Sequence, residues 1–396
     1  MKLGKSFSIS DVIIFFSLIA SWPCVFYLMG YLPDFKFNLL ALASIAMAYI
    51  FFTKSYVVPS SLMLIANIQL ITWLLYSIIH VDTSYITRMF YIFLAMLIVL
   101  IDFGKGGGRF LKIFVYWITL QSLLSAIGFI LCILDIIHPF TYFDEMDGRL
   151  GYNFIIFTTN TYWGLFVRPA GFFDEPGALA CWGVYALVLN RCFLKKKIVE
   201  YILLICLLFT LSIAFFIQAC IFTFFFYRNN LKKIVISLII VSFVMGYIIS
   251  QDDVFYEQTI GRLVYDESEE TISGDNRSDL RKNARTIFLQ HPLIGVGGRN
   301  LFENHDDVIA NEFTYLASDG ILGQIVTWIP YVYLFLILGR SRRDVRYSVL
   351  VCAVGLLQRP FDFCQLLFPL VVYSFINAAI SEEYLLFVQK EEDNNI

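Results

Sequence analysis

Charged residues are scarce in this sequence. Of its 396 residues, 15% are Asp, Glu, Lys or Arg and 59% are hydrophobic, and the mean hydropathy is +0.72. A soluble domain of this length could not enclose so much apolar surface. Apolar runs of about twenty residues, which recur along the chain, are long enough to cross a bilayer. The composition therefore predicts an all-α polytopic membrane protein.

Signatures of several other protein classes are missing. The net charge is only −3, and no Lys/Arg-rich tail or basic–aromatic motif indicates nucleic-acid binding. All eight cysteines lie inside or at the ends of apolar runs, which argues against a disulfide framework or a zinc site. The acid pairs Asp252–Asp253 and Asp306–Asp307 lack a carboxylate-x-carboxylate spacing, so we expect neither a metal nor another cofactor. The basic start has no small-x-small cleavage site, and we expect it to remain as the first span.

The apolar runs predict ten single spans and one paired span. The single spans are 11–29, 37–53, 60–79, 86–101, 111–137, 177–190, 234–250, 314–338, 347–358 and 363–380. Residues 198–227, as one helix, would be about 45 Å long against a hydrocarbon core of about 30 Å. Basic clusters at 191–197 and 228–233 flank this run, and basic short loops stay cytoplasmic. We therefore predict a hairpin of two short spans turning near 210–212, about twelve spans in all, and both termini in the cytoplasm.

This orientation leaves two long segments on the outer face of the membrane. They are residues 138–176 and residues 251–312, within a single integral membrane domain that covers residues 1–396. Long segments in a compact membrane protein are usually functional or disordered. Their aromatic residues and ordered turns, such as HPLIGVGG, favour a functional role.

The first outer segment ends with the motif RPAGFFDEP at the start of a span. Pro176 suits the first turn of a helix, Asp174 and Glu175 suit the positive helix end, and Gly171 permits a turn. A well-made helix start explains the acids as well as a catalytic role does. It does not explain Arg168, whose guanidinium could bind a phosphate in bidentate fashion or pair with the acids as a clamp.

The second outer segment contains a predicted helix at 278–290, ended by HP and the glycines. Its basic stripe consists of Arg277, Arg281 and Arg285. Its apolar face consists of Leu280, Ala284, Ile287 and Phe288. Such a helix is expected on the membrane surface, with its arginines toward headgroups or toward a charged ligand. GVGG lacks the Lys-Ser/Thr of a phosphate loop and is interpreted as a turn.

Further charges lie at the same level of the membrane. Arg88 begins the fourth span, and Arg359 lies between the last two, where lipid would force each toward the bundle interior or a cavity. The arginines predicted to approach one level are Arg88, Arg168, Arg281 and Arg359. Several arginines at headgroup depth indicate a site for a membrane-borne anion, most simply a lipid diphosphate. Among the four histidines, His305 has the most polar surroundings and is the best candidate for a catalytic base. Any one histidine at the outer face is, however, more often a surface or turn residue.

These motifs resemble a known family. RPAGFFDEP is similar to the R-x-x-G-x-F-x-E-P signature of Wzy-type O-antigen and capsular repeat-unit polymerases. R…HPLIGVG…F…N…YLASDGILG is similar to the second-loop pattern of the wider O-antigen polymerase and ligase superfamily. The resemblance implies a GT-C-like fold in the bacterial inner membrane, with a periplasmic active site. It also implies a glycosyltransferase that joins oligosaccharide repeat units carried on undecaprenyl diphosphate, with a chain-length regulator and a flippase of the same pathway as possible partners.

The implied roles fall on particular residues. The catalytic candidates are Arg168, Glu175 and His305. The candidates for binding the diphosphate or glycan are Arg88, Arg277, Arg281, Arg285, Arg359 and Asn311. Fixed positive charge would stabilise the departing diphosphate in place of a metal, and a carboxylate or histidine could assist the acceptor hydroxyl in an inverting attack.

Two alternatives stay open. Ligases, which transfer glycan to lipid A–core, usually carry His-Asn before the final helix motif, and this chain has Ala310–Asn311–Glu312 there, which favours a polymerase. A lipid-linked oligosaccharide flippase would also have about twelve spans. Transporters, however, place polar residues near the midplane in two related halves, and here the polarity is concentrated in the outer segments.

Overall fold

A computed structural model shows a mostly helical bundle. It describes residues 18, 48, 59–103, 108–144, 150–164, 166–228, 265–266, 271–272, 278–305, 308, 311–358 and 366–394. The predicted spans at 11–29, 37–53 and 234–250 lie outside these residues, so the predicted count of about twelve stays a prediction.

The helices follow the apolar runs closely. They are α1 (Ser60–His80), α2 (Ser84–Phe103), α3 (Arg109–Ile133), α4 (Pro176–Leu189), α5 (Lys197–Cys206), α6 (Ile213–Phe226), α7 (Ser278–Gln290), α8 (Gly298–Asn304), α9 (Thr314–Tyr333), α10 (Arg343–Gln358) and α11 (Leu367–Asn394). A π-helical turn, Asn190–Leu194, extends α4, and another, Leu334–Leu338, extends α9 into the short helical turn Gly339–Ser341. Among the described residues, five helices are long and apolar enough to cross a membrane: α1, α2, α3, and the extended α4 and α9.

The run 198–227 forms two helices and not one, and the chain turns at the predicted place. A 3-10 turn, Leu207–Thr210, follows α5, and Leu211 takes a left-handed conformation with φ 49° before α6 starts. The two far ends meet again, because the Tyr227 hydroxyl donates a hydrogen bond to the Glu200 carboxylate. Arg191 lies beside both ends, 3.3 Å from Glu200 Oε1 and 3.4 Å from the Phe226 carbonyl oxygen. The chain therefore turns back at residues 210–212.

Helix α9 contains a break that the sequence reading did not predict. Gly320 has φ 63° and ψ −172°, which is incompatible with a continuous helix. Ser318 and Asp319 just before the break are both buried. The break therefore frees backbone groups from helical hydrogen bonds and places a carboxylate inside the protein.

Small antiparallel sheets qualify the all-α prediction. In the first outer segment β1 (Thr141–Asp144), β2 (Leu150–Asn153) and β3 (Thr158–Thr159) form one sheet, and β4 (Tyr162–Trp163) pairs with β5 (Phe166–Val167). A third pair, β6 (Tyr265–Asp266) and β7 (Thr271–Ile272), lies in the second outer segment. These strands are two to four residues long, which is too short for an alternating apolar pattern to reveal them.

The hairpin predicts which positions share one side of the membrane. Lys195 precedes it and Arg228 follows it, and both are exposed. We expect Lys195→Cys and Arg228→Cys to react with an impermeant maleimide from the same side, and Tyr142→Cys, beyond the other end of α4, from the opposite side. Cys220 is exposed and is replaced by serine throughout. Labelling of Lys195→Cys and Arg228→Cys from opposite sides would mean that the run crosses the membrane once.

Candidate functional site

Arg168 is fastened to the tip of the hairpin. Its Nε donates to the carbonyl oxygen of Thr210 and its Nη2 to that of Leu211, each at 3.2 Å. These carbonyls are exposed by the turn between α5 and α6, since the helical hydrogen-bond ladder is interrupted there. The guanidinium is half-buried, so two directional bonds fix its orientation while its charge stays intact.

The backbone of the arginine motif is held by two threonines. Thr158 Oγ1 donates to the Gly171 carbonyl at 3.1 Å and to the Phe173 carbonyl at 2.6 Å, and Thr159 Oγ1 donates to the Arg168 carbonyl at 2.6 Å. Both threonines are fully buried. The strand that precedes the motif therefore also fixes its shape.

Gly171 turns the motif toward α4, as predicted. Its φ is 65°, and an added Cβ would lie 2.7 Å from Gln121 Oε1. That oxygen accepts the Phe172 N–H at 3.0 Å, and Gln121 itself is buried in α3. The turn therefore requires both the left-handed conformation and the absence of a side chain.

The acids of the motif stand at the amino end of α4. Pro176 is the first helical residue and Glu175 the N-cap, as predicted, and the Glu175 carboxylate makes no capping hydrogen bond. Asp174 Oδ1 accepts the Glu175 N–H at 3.1 Å. Both side chains are half-buried beside the positive helix end. The catalytic role of Glu175 stays a prediction.

Arg88 lies in a second centre and is paired. Its Nη1 is 2.8 Å from Asp319 Oδ2, and the two side chains are 2% and 0% exposed. Its guanidinium carbon lies 4.8 Å from the ring centre of Trp73 and 4.7 Å from that of Tyr85. Aromatic faces attract a cation and shield it from lipid. Arg88 therefore lies in the bundle interior, the place expected for a lone charge in a span.

Two tyrosines complete the contacts of Asp319. The Tyr85 hydroxyl donates to Oδ1 at 2.7 Å, and the Tyr76 hydroxyl donates to the Asp319 backbone oxygen at 2.7 Å. Tyr85 Oη in turn accepts the Gly298 N–H at 3.1 Å. A buried carboxylate is tolerated when charge and hydrogen bonds surround it in this way.

The loop HPLIGVGG docks on the break in α9. The carbonyls of Ala317 and Ser318 accept the N–H groups of Val296 and Gly297 at 3.0 and 2.9 Å. On the other side of the break, the N–H groups of Ile321 and Leu322 donate to the carbonyls of Pro292 and Leu293 at 2.9 and 3.1 Å. The loop thus pairs four backbone groups that the interrupted helix leaves without their helical partners, as irregular backbone in a membrane protein requires. The prediction of a turn at GVGG is confirmed.

The connection between α1 and α2 holds the same loop. His80 Nε2 lies 3.1 Å from the Ile294 carbonyl, and Asp82 Oδ2 accepts the Arg299 N–H at 2.8 Å. Burial raises the pKa of the Asp82 carboxyl, but the hydrogen bonds from Arg299 and Ser84 outweigh burial, and the pKa lies below its ordinary value. These contacts are therefore made by the charged form of Asp82.

Helix α7 has the predicted bounds, but its apolar face packs on protein. Ala284 is fully buried in a cluster with Leu301 and Ala317, and Ile287 and Phe288 pack against it. Arg281 and Arg285 are exposed on the other face, and Arg281 Nε is 2.5 Å from Glu312 Oε1. The apolar face therefore serves packing within the protein, and the position of α7 on the membrane surface stays a prediction. Arg277 lies outside the described residues.

The remaining candidates have different surroundings. His305 is exposed at the end of α8. Asn311 is 1% exposed, and its side chain accepts the Phe313 N–H at 2.9 Å and donates to the Val308 carbonyl at 2.9 Å. Asn311 therefore shapes the turn before α9. Arg359 lies outside the described residues.

The candidate arginines thus belong to three neighbourhoods. Arg168 is bound to the hairpin tip, Arg88 to the broken helix α9, and Arg281 to Glu312. The sequence reading missed Asp319 as the partner of Arg88. Charged residues within spans commonly pair with one another, so two lone charges in apolar runs were an available signal. Gln121, Thr158 and Thr159 left no signal, because their roles depend on distant backbone.

Comparison with known proteins agrees with the resemblance seen in the second outer segment; the motif RPAGFFDEP lies before the matched residues. Residues 199–321 match the family model described as "O-Antigen ligase", which covers a little under a third of the chain. The matched region contains the hairpin tip that binds Arg168, the helix α7 and the loop docked on α9. No curated protein matches the chain. The match of residues 199–321 supports a relationship of this part of the chain to the O-antigen polymerase and ligase superfamily.

Proposed function

We propose that this protein is a polymerase of lipid-linked oligosaccharide repeat units. In this reaction the growing glycan leaves its undecaprenyl diphosphate carrier and joins the non-reducing end of a new lipid-linked unit. One observation carries the proposal: Arg168, in the motif RPAGFFDEP, is bound to the hairpin tip inside the region that matches the superfamily. The polymerase-like motif is therefore physically joined to the superfamily region.

The proposed reaction needs positive charge already positioned beside the departing diphosphate. A diphosphate leaves as a stabilised anion, and donors already oriented toward it need no reorganisation during the reaction. Arg168 has the fixed orientation, and Arg285 and Arg281 are exposed on α7, where Glu312 orients the Arg281 guanidinium through its Nε. We assign the diphosphate to these arginines, with no metal and no nucleotide sugar, and inversion at the anomeric carbon.

The acceptor hydroxyl needs a proton acceptor. Glu175 follows Arg168 in the same motif and is half-buried at the amino end of α4. His305 is exposed at the end of α8, so by its position it is the less favoured candidate. We therefore place Glu175 first.

A ligase is the second candidate, because the matching family model carries that description. A ligase would use the same donor but transfer the glycan to lipid A–core. The segment Ala310–Asn311–Glu312 favours the polymerase, since it lacks the His-Asn pair that ligases usually carry. In either case the reaction takes place at the outer face of the bacterial inner membrane.

Deletion of the gene separates the candidates. Loss of a polymerase is expected to leave lipid A–core carrying a single repeat unit, without the ladder of longer chains. Loss of a ligase or a flippase would remove even the single unit. Glycan gels with an antibody against the repeat unit read out the difference, and absence of the single-unit band would refute the polymerase.

A further inference from the structure

The Arg88–Asp319 ion pair connects three parts of the chain that are far apart in sequence. Arg88 is in α2, Asp319 is in α9, and Tyr85 joins the pair to Gly298 in the docked loop. Two features make this centre unusual. It is almost fully buried, and it lies directly at the break in α9.

An ion pair in such a place is a poor source of stability. Removing two charges from water is costly, and well-packed apolar residues often stabilise such a position equally well. The pair therefore calls for another role. Its contacts indicate that role: the Tyr76 hydroxyl donates to the Asp319 carbonyl at the break, and the Tyr85 hydroxyl bonds both the Asp319 carboxylate and the Gly298 N–H at the end of the covering loop.

The docked loop is continuous with the arginine helix. Helix α7 ends at Gln290, and the loop begins with His291, whose N–H donates to the Ile287 carbonyl at 3.1 Å. The apolar face of α7 also packs against the residues before the break, through Ala284 and Ala317. A shift of the loop on α9 would therefore move Arg281 and Arg285.

We propose that Arg88 and Asp319 are positioning residues, whose ion pair fastens residues 292–299 to the break in α9 and thereby places the arginines of α7. The pair sets the alignment of the loop, and neither residue touches the diphosphate. The role of Arg281 and Arg285 in binding the diphosphate rests on the proposed function. The docking of residues 292–299 does not depend on it. It replaces the predicted contact between Arg88 and substrate.

Amide hydrogen exchange tests the docking directly. The N–H groups of Val296 and Gly297 are protected by the α9 carbonyls. In Asp319→Asn, which leaves Arg88 buried without its carboxylate, exchange in the peptide 292–299 is expected to accelerate about tenfold or more, because a hydrogen bond to a charged group is lost. Exchange in α5 is expected to stay unchanged.

Substitutions of Arg88 separate charge from volume. Arg88→Lys keeps the charge and is expected to keep most of the loop protection and part of the polymerisation rate. Arg88→Met keeps the length of the side chain but leaves Asp319 unpaired, so protection falls about tenfold or more and kcat falls with it. If Arg88 only filled space, Arg88→Met would retain more protection of residues 292–299 than Arg88→Lys.

A matched control lies near the other end of the extended helix. Arg342 Nη2 is 2.5 Å from Asp344 Oδ2, and the two side chains are 9% and 32% exposed. This pair is roughly 35 Å along the chain from Asp319 at helical rise. Arg342→Gln is expected to lower overall stability without changing exchange in 292–299.

The outcomes are distinct. Loop exchange unchanged in Asp319→Asn and Arg88→Met would overturn the proposal, whether or not activity is lost. If a single variant does not fold, Arg88→Met combined with Asp319→Asn removes both charges and is expected to fold. Faster loop exchange in that double variant supports the proposal, and native exchange refutes it. Faster exchange with unchanged glycan synthesis would retain the docking role but refute the use of α7 in catalysis.

Discussion

Arg168→Lys is expected to abolish long glycan chains while leaving a single repeat unit on lipid A–core. Lysine keeps the positive charge but cannot donate to the Thr210 and Leu211 carbonyls together in the geometry of a guanidinium. Its ammonium group is then free to move away from the departing diphosphate. Loss of one oriented donor to a developing anion typically reduces kcat about 10²–10³-fold, and we expect a loss in this range.

The matched control for this variant is Arg299→Lys. Arg299 is also an arginine in an outer segment, but its side chain is 62% exposed and pairs with Glu303 on its own helix. Glycan ladders from a deletion strain carrying each variant, at equal membrane levels, give the comparison. A normal ladder from Arg168→Lys would remove Arg168 from the site.

Gly295→Ala and Gly320→Ala are expected to undock the loop from α9. Both glycines have positive φ, 67° and 63°, and an added Cβ would collide with backbone: that of Ser318 for Gly295, and that of Leu293 for Gly320. Backbone cannot step aside as a flexible side chain can, so the four hydrogen bonds across the break would be lost. We expect a lower midpoint of thermal unfolding in detergent and no detectable polymer.

Gly164→Ala provides the control for the backbone conformation alone. Gly164 has φ 60°, but no atom lies within 4 Å of an added Cβ. It bears only the strain of a left-handed residue, about 1–2 kcal/mol. If Gly295→Ala and Gly164→Ala lower the unfolding midpoint equally, backbone strain alone explains the effect at Gly295. Close contact between the loop and α9 would then not require a glycine there.

Local signals predicted some elements with accuracy. The HP dipeptide and the glycines placed the end of α7 at Gln290, and Pro176 placed the start of α4. Two local features predicted the hairpin at residues 198–227. The run is too long for one straight span, and basic clusters flank both of its ends. These features depend on residues near in sequence.

The partners of the arginines depend on the packed structure instead. Arg88 and Asp319 are 231 residues apart, and Arg168 reaches a carbonyl 42 residues away. Backbone carbonyls carry no residue-specific signal, so nothing in the sequence marked Thr210 or Leu211 as the partners of Arg168. The break in α9 was not predicted either, because a glycine in an apolar run does not by itself indicate a break.

Synthesis from purified components tests the central claim most directly. The protein is reconstituted in vesicles with an undecaprenyl-diphosphate-linked repeat unit, with a chelator present and without nucleotide sugar or lipid A–core. We expect lipid-linked polymers, one undecaprenyl diphosphate released for each unit added, and loss of both products with Arg168→Lys. Absence of polymer, together with glycan transfer once lipid A–core is supplied, would show that the protein is a ligase and not a polymerase.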